Sequence, residues 1–198
     1  MMDHTVGNIR TKKALLRKEI LAKRSSIRSD DRLKMSSVIC KRFLAGDDYK
    51  NASSILLYKA YNNEVDTDMI FEAALSDGKK VAYPLSRIVD GEPDLSFYIV
   101  DDHADLESGY KGIPEPVCGR VDQFTERADI CVCPGVAFDK KCHRIGYGKA
   151  FYDRYIRLHA PRRVIGLAYD VQIVPDMETE ESDMPVDIVI TDKTVYEK

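Results

Sequence analysis

Ser54-Ile-Leu-Leu-Tyr-Lys-Ala-Tyr-Asn-Asn-Glu-Val-Asp-Thr-Asp-Met-Ile-Phe-Glu-Ala-Ala-Leu-Ser-Asp-Gly-Lys-Lys-Val-Ala-Tyr-Pro84 is the stretch on which the fold turns. Its first five residues are an apolar run of strand length, Asp66-Thr-Asp68 supplies the caps of a helix ending at Gly78, and Lys80 to Pro84 is a second strand. Strand, helix, strand within about thirty residues is the rhythm of a parallel crossover. Working toward the C-terminus, Leu95–Val100, Asp129–Cys133, Val164–Ala168 and Val186–Ile190 repeat the short apolar pattern, and a helix is expected over about Lys149–His159. The alternation predicts an α/β fold, a single three-layer domain over residues 1–198 with a mainly parallel sheet and helices on both faces.

Toward the N-terminus, Ile9, Leu16, Ile20 and Ile27 recur near the helical period, with Lys13 and Arg17 sharing one face four residues apart. Ser29-Asp-Asp31 offers the N-cap of a second helix running to about Ala45, where Gly46 is placed for a left-handed stop. Two N-terminal helices therefore precede the sheet. The long stretch Asp101–Arg127, rich in glycine and proline, is expected to be a surface loop, and long ordered loops are often functional.

Bulk properties narrow the function classes. At 198 residues the chain can bury roughly 70% of its unfolded surface. A net charge of −3, with basic residues spread among acidic ones, argues against nucleic acid as a partner. The segment Met1-Met-Asp-His-Thr-Val6 is polar, so no secretory signal is expected, and the longest apolar run, Ile130–Phe138, is broken by Pro134 and Gly135 and is too short to cross a bilayer. Five cysteines without regular spacing suit reduced thiols, and the expectation is a cytoplasmic protein with no membrane association and no obligate protein partner. Cys131 and Cys133 would share a strand face, yet paired zinc-site spacing is missing. Glu178-Thr-Glu-Glu181 has the composition of a solvated loop, and Asp187 that of a structural acid.

Chemistry concentrates in Cys133-Pro-Gly-Val-Ala-Phe-Asp-Lys-Lys-Cys-His-Arg-Ile-Gly-Tyr-Gly-Lys-Ala-Phe-Tyr-Asp153, which joins the end of a strand to the start of a helix, where open α/β sheets bind ligands. Gly146 and Gly148 permit close backbone approach, the helix start offers unpaired amides, and Arg144 and Lys149 add positive charge: an anion cradle suited to a triphosphate. The same Gly-x-Gly is also compatible with a plain tight turn, and it matches neither a Walker A loop nor a dinucleotide fingerprint.

Pro134-Gly-Val-Ala-Phe-Asp139 followed by Arg144-Ile-Gly-Tyr-Gly-Lys-Ala-Phe-Tyr-Asp-Arg154 resembles the nucleotide-binding signature of the 5-formyltetrahydrofolate cyclo-ligases. Lys13-Ala-Leu-Leu-Arg17, Asn63-Glu-Val-Asp-Thr67, Gly112-Ile-Pro-Glu-Pro116 and Ser182-Asp-Met-Pro-Val-Asp187 extend the resemblance in the family order. It implies ATP as co-substrate, magnesium as cofactor and 5-formyltetrahydrofolate as the compound cyclised to 5,10-methenyltetrahydrofolate, with ADP and phosphate released. It further implies that Lys13, Arg17, Arg144, Ile145, Gly146, Tyr147, Gly148, Lys149, Ala150, Phe151 and Tyr152 bind ATP, with Arg144 and Lys149 catalytic, and that Asp153 and Asp183 hold the metal. Lys59, Glu64, Glu115 and the loop Tyr147, Gly148, Lys149, Ala150, Phe151 would contact the folate. Without the resemblance Glu64 reads better as a solvated turn residue or helix-entry acid ahead of Asp66-Thr67. The chain departs from the family pattern at Cys142-His143, where a glycine is common, and at Ala150-Phe151, where Gly-Tyr is usual. Two other readings stay open: a sugar-phosphate isomerase-like enzyme with Glu64 as base, and a non-catalytic paralogue that only binds nucleotide or folate.

Overall fold

The structure, a computed structural model, describes residues 3–109 and 112–198. Met1 and Met2, where the polar N-terminal segment starts, lie outside the described residues. Helix α1 spans Asp3–Ser25, α2 Ser29–Ala45, α3 Asp47–Asn51, α4 Asp68–Ser76 and α5 Phe151–His159. The main sheet comprises β1 (Ser54–Leu56), β2 (Lys80–Val89), β3 (Glu92–Ile99), β6 (Gln123–Phe124), β7 (Ile130–Cys133), β10 (Arg163–Ala168), β12 (Ile188–Thr191) and β13 (Val195–Glu197). Its order is β13-β12-β10-β7-β1-β2-β3-β6. The five central strands, β12 to β2, run parallel, and β13, β3 and β6 add antiparallel edges. Counting only the parallel strands in chain order, the arrangement is 2-1-3-4-5, which reverses direction between β1 and β7 and so leaves a crevice beyond their C-terminal ends.

Side-chain alternation explains the two covered faces. Ile55, Leu57, Val81, Tyr83, Ile130, Val132, Ile165 and Leu167 point one way and pack under Ile39 and Phe43 of α2, Tyr49 of α3 and Ile70 and Phe71 of α4. Leu56, Ala82, Cys131, Cys133 and Val164 point the other way, toward Tyr155 and Ile156 of α5. Cys131 and Cys133 thus do share one face. All five cysteines are free, Cys118 alone being exposed. Among the described residues no helix is long and apolar enough to cross a membrane.

A smaller sheet, ordered β11 (Ile173–Val174), β8 (Ala137–Asp139), β9 (Arg144–Ile145), sits beyond the crevice. Helix α1 lies on it through Ile20, with Leu16 and Leu21 beside Val136, Ala137, Ile145 and Met177. That contact brings the basic face of α1 to the C-terminal ends of the central strands.

Several expected boundaries change. Gly46 is extended rather than left-handed, with φ −70° and ψ 150°, because the chain runs straight into α3, a short helix absent from the sequence reading. Strands β2 and β3 form one long hairpin closed by Asp90 and Gly91, at φ 51° and 84°, the positive-φ pair a two-residue turn needs. Pro84 does not end β2: β1 pairs only as far as Ala82, so the missing N–H of Pro84 meets no ladder partner on that side. The stretch 101–127 is more ordered than a plain loop, carrying a 3-10 turn at His103–Asp105, the ribbon of β4 (Leu106–Ser108) and β5 (Pro114–Pro116), and β6. Helix α5 starts at Phe151, two residues later than expected, after Ala150 at φ 55°. The last parallel strand starts at Ile188 rather than Val186, and Asp187 accepts the amide of Val164 at 2.7 Å, the structural task its position predicts.

Candidate active site

The crevice opens into a cavity of about 650 Å³ whose walls include Lys13, Arg17, Lys59, Glu64, Glu115, Asp153, Asp183 and every residue from Arg144 to Tyr152. All the residues singled out from the sequence therefore face one space, although they come from α1, the loop after β1, the β4–β5 ribbon, the β9–α5 turn and the segment before β12.

One end of the cavity is cationic. Arg17 donates its Nε to the carbonyl of Gly146 at 2.8 Å, which pins α1 to the glycine turn. Gly148 has φ +88°, and a side chain there would meet the Arg17 guanidinium at 3.4 Å; at Gly146 a Cβ would come within 2.7 Å of Arg144 Nη1. The two glycines are demanded by backbone conformation and by the approach of arginines. Arg144 is buried and donates to Asp153 Oδ1 at 2.7 Å and to the carbonyl of Pro134 at 3.3 Å. Its pKa stays raised, since Cys133 and Asp153 outweigh the penalty of burial. Lys149 is exposed toward the cavity and has no ion-pair partner among the described residues.

The carboxylates named as metal ligands are engaged by these cations. Asp183 Oδ2 accepts Lys13 Nζ at 2.5 Å and the Glu180 amide at 2.7 Å, while Asp153 also accepts the Met184 amide at 3.0 Å. Lys13 reaches Glu180 as well, at 2.7 Å, and Lys12 pairs with Glu178. The run 178–181 is thus partly an anchor for α1 rather than only a solvated loop. Among the described residues no group of three or more His, Cys, Asp or Glu side chains converges. Two carboxylates beside a cationic glycine turn fit magnesium in donor type, since magnesium takes one or two protein carboxylates and completes its shell with other oxygens.

The other end is enclosed and more apolar. Glu64 is buried, 9% exposed, and accepts the Tyr61 amide at 2.9 Å. Burial pushes its pKa up to about 7, against the opposing pull of the Tyr61 amide, Arg24 and the Tyr147 hydroxyl. It is therefore no solvated turn residue. Lys59 is held by Asp68, and Glu115, on β5, accepts the Ser86 amide at 3.1 Å. Among the described residues the Tyr152 hydroxyl and the Nε atoms of Arg24 and Arg144 are buried without hydrogen-bond partners.

Sequence reading missed Arg24, Glu180 and Asn62. Arg24 was detectable: it falls on the stripe of Leu16, Ile20 and Ile27, and a charge on a helix's apolar stripe needs buried partners. Glu180 and Asn62 carry no such signal.

Comparison with known proteins agrees with the geometry. Residues 9–192 match the model of the 5-formyltetrahydrofolate cyclo-ligase family. The mouse 5-formyltetrahydrofolate cyclo-ligase is 27% identical over 184 residues, covering 88% of this chain and 91% of its own length. The Escherichia coli K12 enzyme is 26% identical over 181 residues, covering 90% and 99%. Among solved structures, the 5,10-methenyltetrahydrofolate synthetase of Aquifex aeolicus superposes with a TM-score of 0.81 at 31% identity over 93% of this chain and 92% of that one. That of Mycoplasma pneumoniae gives 0.70 at 26%, over 91% and 98%.

Proposed function

The chain belongs to the 5-formyltetrahydrofolate cyclo-ligase family, and on that footing we propose that it cyclises 5-formyltetrahydrofolate to 5,10-methenyltetrahydrofolate at the expense of ATP. The observation that carries this reading is one cavity with two unlike ends: Arg17, Arg144 and Lys149 around a glycine turn, and a buried Glu64 among tyrosines. A sugar-phosphate isomerase, acting on one phosphorylated compound, would have no use for a second end of this kind.

A formamide is a weak electrophile and hydroxide a poor leaving group, so direct ring closure is slow. In the proposed sequence the formyl oxygen attacks the γ-phosphoryl; an O–P bond forms, the β–γ bridge breaks and ADP leaves. The second folate amine then adds to the activated carbon, loses its proton, and phosphate departs with the former formyl oxygen. Lys149 and Arg17 bind the phosphates, and Arg144, held against Asp153, adds fixed positive charge where the transferring group becomes more negative. Lys59, Glu64 and Glu115 orient the folate, which makes ring closure intramolecular in effect. Asp153 and Asp183 would hold magnesium, whose chemistry is to neutralise the phosphate charge during transfer. No covalent nucleophile is required. Free thiols and the lack of any membrane-spanning helix among the described residues suit a cytoplasmic place of work.

The test is direct. Purified protein mixed with 5-formyltetrahydrofolate, ATP and magnesium should generate the methenyl absorbance, and Lys149→Ala should reduce turnover at least ~100-fold, as expected for loss of a charge at the transferring group. Product forming equally well without ATP would overturn the reading.

A further inference from the structure

Arg24 is 1% exposed, at the far end of α1 from the phosphate-facing lysine, and the known roles of the site leave it without a task. Its guanidinium gathers three segments that meet at the crevice. Nη2 donates to the carbonyl of Asn62 at 2.8 Å and to the hydroxyl of Tyr147 at 2.6 Å, and Nη1 donates to the carbonyl of Gly135 at 3.4 Å. Those segments are the loop after β1, the β9–α5 turn and the turn after β7.

Each contact has a consequence for the enclosed end of the cavity. Asn62 and Asn63 stand at φ 47° and 61°, a conformation disfavoured for residues with side chains, two residues and one residue ahead of Glu64. A charged donor on the Asn62 carbonyl holds that bend. Tyr147 accepts from Arg24, so its own proton points away from the guanidinium, and its ring and Glu64 line the same cavity. Arg24 thus holds the Tyr147 hydroxyl directly and reaches Glu64 through the carbonyl of Asn62, two residues ahead of it. Arg24 itself does not line the cavity, while Tyr147 and Glu64 do.

We propose that Arg24 is a positioning residue for the folate end of the site: it fixes the orientation of the Tyr147 hydroxyl and the Asn62–Glu64 bend, and through them the carboxylate that faces the substrate. This inference rests on the reading of the cavity given above. It assigns no role at the phosphate end, where Lys13 and Arg17 of the same helix work.

The experiment measures KM separately for 5-formyltetrahydrofolate and for ATP, with kcat, in Tyr147→Phe, Arg24→Gln, Arg24→Lys and the Arg24→Gln, Tyr147→Phe double variant. Tyr147→Phe, at a residue 42% exposed, removes one hydroxyl and keeps the ring, so its fold is safe. The expected result is a folate KM raised roughly 10-fold in Tyr147→Phe and in Arg24→Gln, with the ATP KM moved less than about twofold, since the Arg24–Tyr147 bond is lost in both. The double variant should be no worse than Arg24→Gln by more than about twofold, because the two side chains act as a unit. Arg24→Lys, whose single nitrogen cannot reach the Gly135 carbonyl on one side and Asn62 with Tyr147 on the other, should recover only part of the loss.

An unchanged folate KM in Tyr147→Phe, or equal shifts of the folate and ATP KM in the variants, overturns the proposal. Should Arg24→Gln fail to yield folded protein, Tyr147→Phe and Arg24→Lys decide by the same criteria. Wild-type protein is run first: no turnover there sinks the reading of the cavity, whereas wild-type turnover with unshifted variants sinks the role of Arg24 alone.

Discussion

At Glu64 burial and hydrogen bonding pull in opposite directions, and burial wins, placing the carboxyl near pKa 7 against an ordinary 4.5. The groups facing it are Tyr61 through its amide, Arg24 from α1, Tyr147 from the β9–α5 turn, and Tyr58, Cys133 and Tyr152 from the strands and α5. Because the folded value is the higher one, the folded chain holds an extra proton between pH 4.5 and about 7; stability falls as pH rises through that window and the full penalty applies above it. That penalty is on the order of 3 kcal/mol. Urea unfolding of wild type and Glu64→Gln should therefore give a stability gap that grows in the variant's favour by 2–3 kcal/mol, roughly, between pH 4.5 and pH 8. A gap independent of pH would show that Glu64 is ionised at no cost. At this scale the sequence was informative about identity and silent about partners. Lys13, Arg17, Glu64, Arg144, Asp153 and Asp183 could all be named from pattern and resemblance, but Lys13 and Asp183 are 170 residues apart, and only the topology makes them a pair. Ala150 and Cys142 stand at φ 55° and 64°, positions where glycine would signal the turn and these residues hide it.

Among the elements, α1 does the most with the least of the main sheet. Its buried stripe rests on the small sheet through Ile20, 1% exposed, while Leu15, five residues earlier and on another face, is 64% exposed. Ile20→Ala should cost about 2–4 kcal/mol in urea unfolding and raise the KM for ATP, because Lys13 and Arg17 ride on the same helix; Leu15→Ala should change stability by less than about 0.5 kcal/mol and leave KM alone. An Ile20→Ala protein with wild-type KM would mean that the basic residues are placed by their ion pairs and not by the packing of the helix. The period of α1 was legible because helix amphipathicity survives in a single sequence. The β2–β3 hairpin was less so: Pro84 looked like a terminator, and charged and exposed residues on both arms leave no apolar run around the Asp90-Gly91 turn. Short strands such as β4, β5 and β6 have too few residues to show a period, and α3, at five residues, has the same defect.

For the molecule as a whole, the site joins segments from both ends of the chain into alternating charge: Lys13 against Asp183 and Glu180, Arg144 against Asp153, with Arg17 and Lys149 turned to the cavity. On the proposed reading a nucleoside triphosphate would compete with Asp183 and Asp153 for the cations, and a carboxylate left half-buried without a counter-charge is costly. The side chains of Asp153 and Asp183 are 17% and 22% exposed, so water screens them only in part. A divalent cation held by these carboxylates would offset the penalty when the phosphates draw the lysine and arginine away. Nucleotide and magnesium should then stabilise the protein jointly. At nucleotide concentrations about 100 times Kd the linkage is worth about 2.7 kcal/mol, which for a chain of 198 residues corresponds to roughly 5–10 °C in Tm. Thermal unfolding with ATP alone, magnesium alone and both should show a shift for the pair that exceeds the sum of the separate shifts. In Asp153→Asn, where one carboxylate no longer calls for a cation, the excess should shrink by half or more while ATP alone stabilises at least as well as in wild type. Additive shifts in the wild type, or an excess unchanged by Asp153→Asn, would show that the exchange of ion pairs does not govern nucleotide binding.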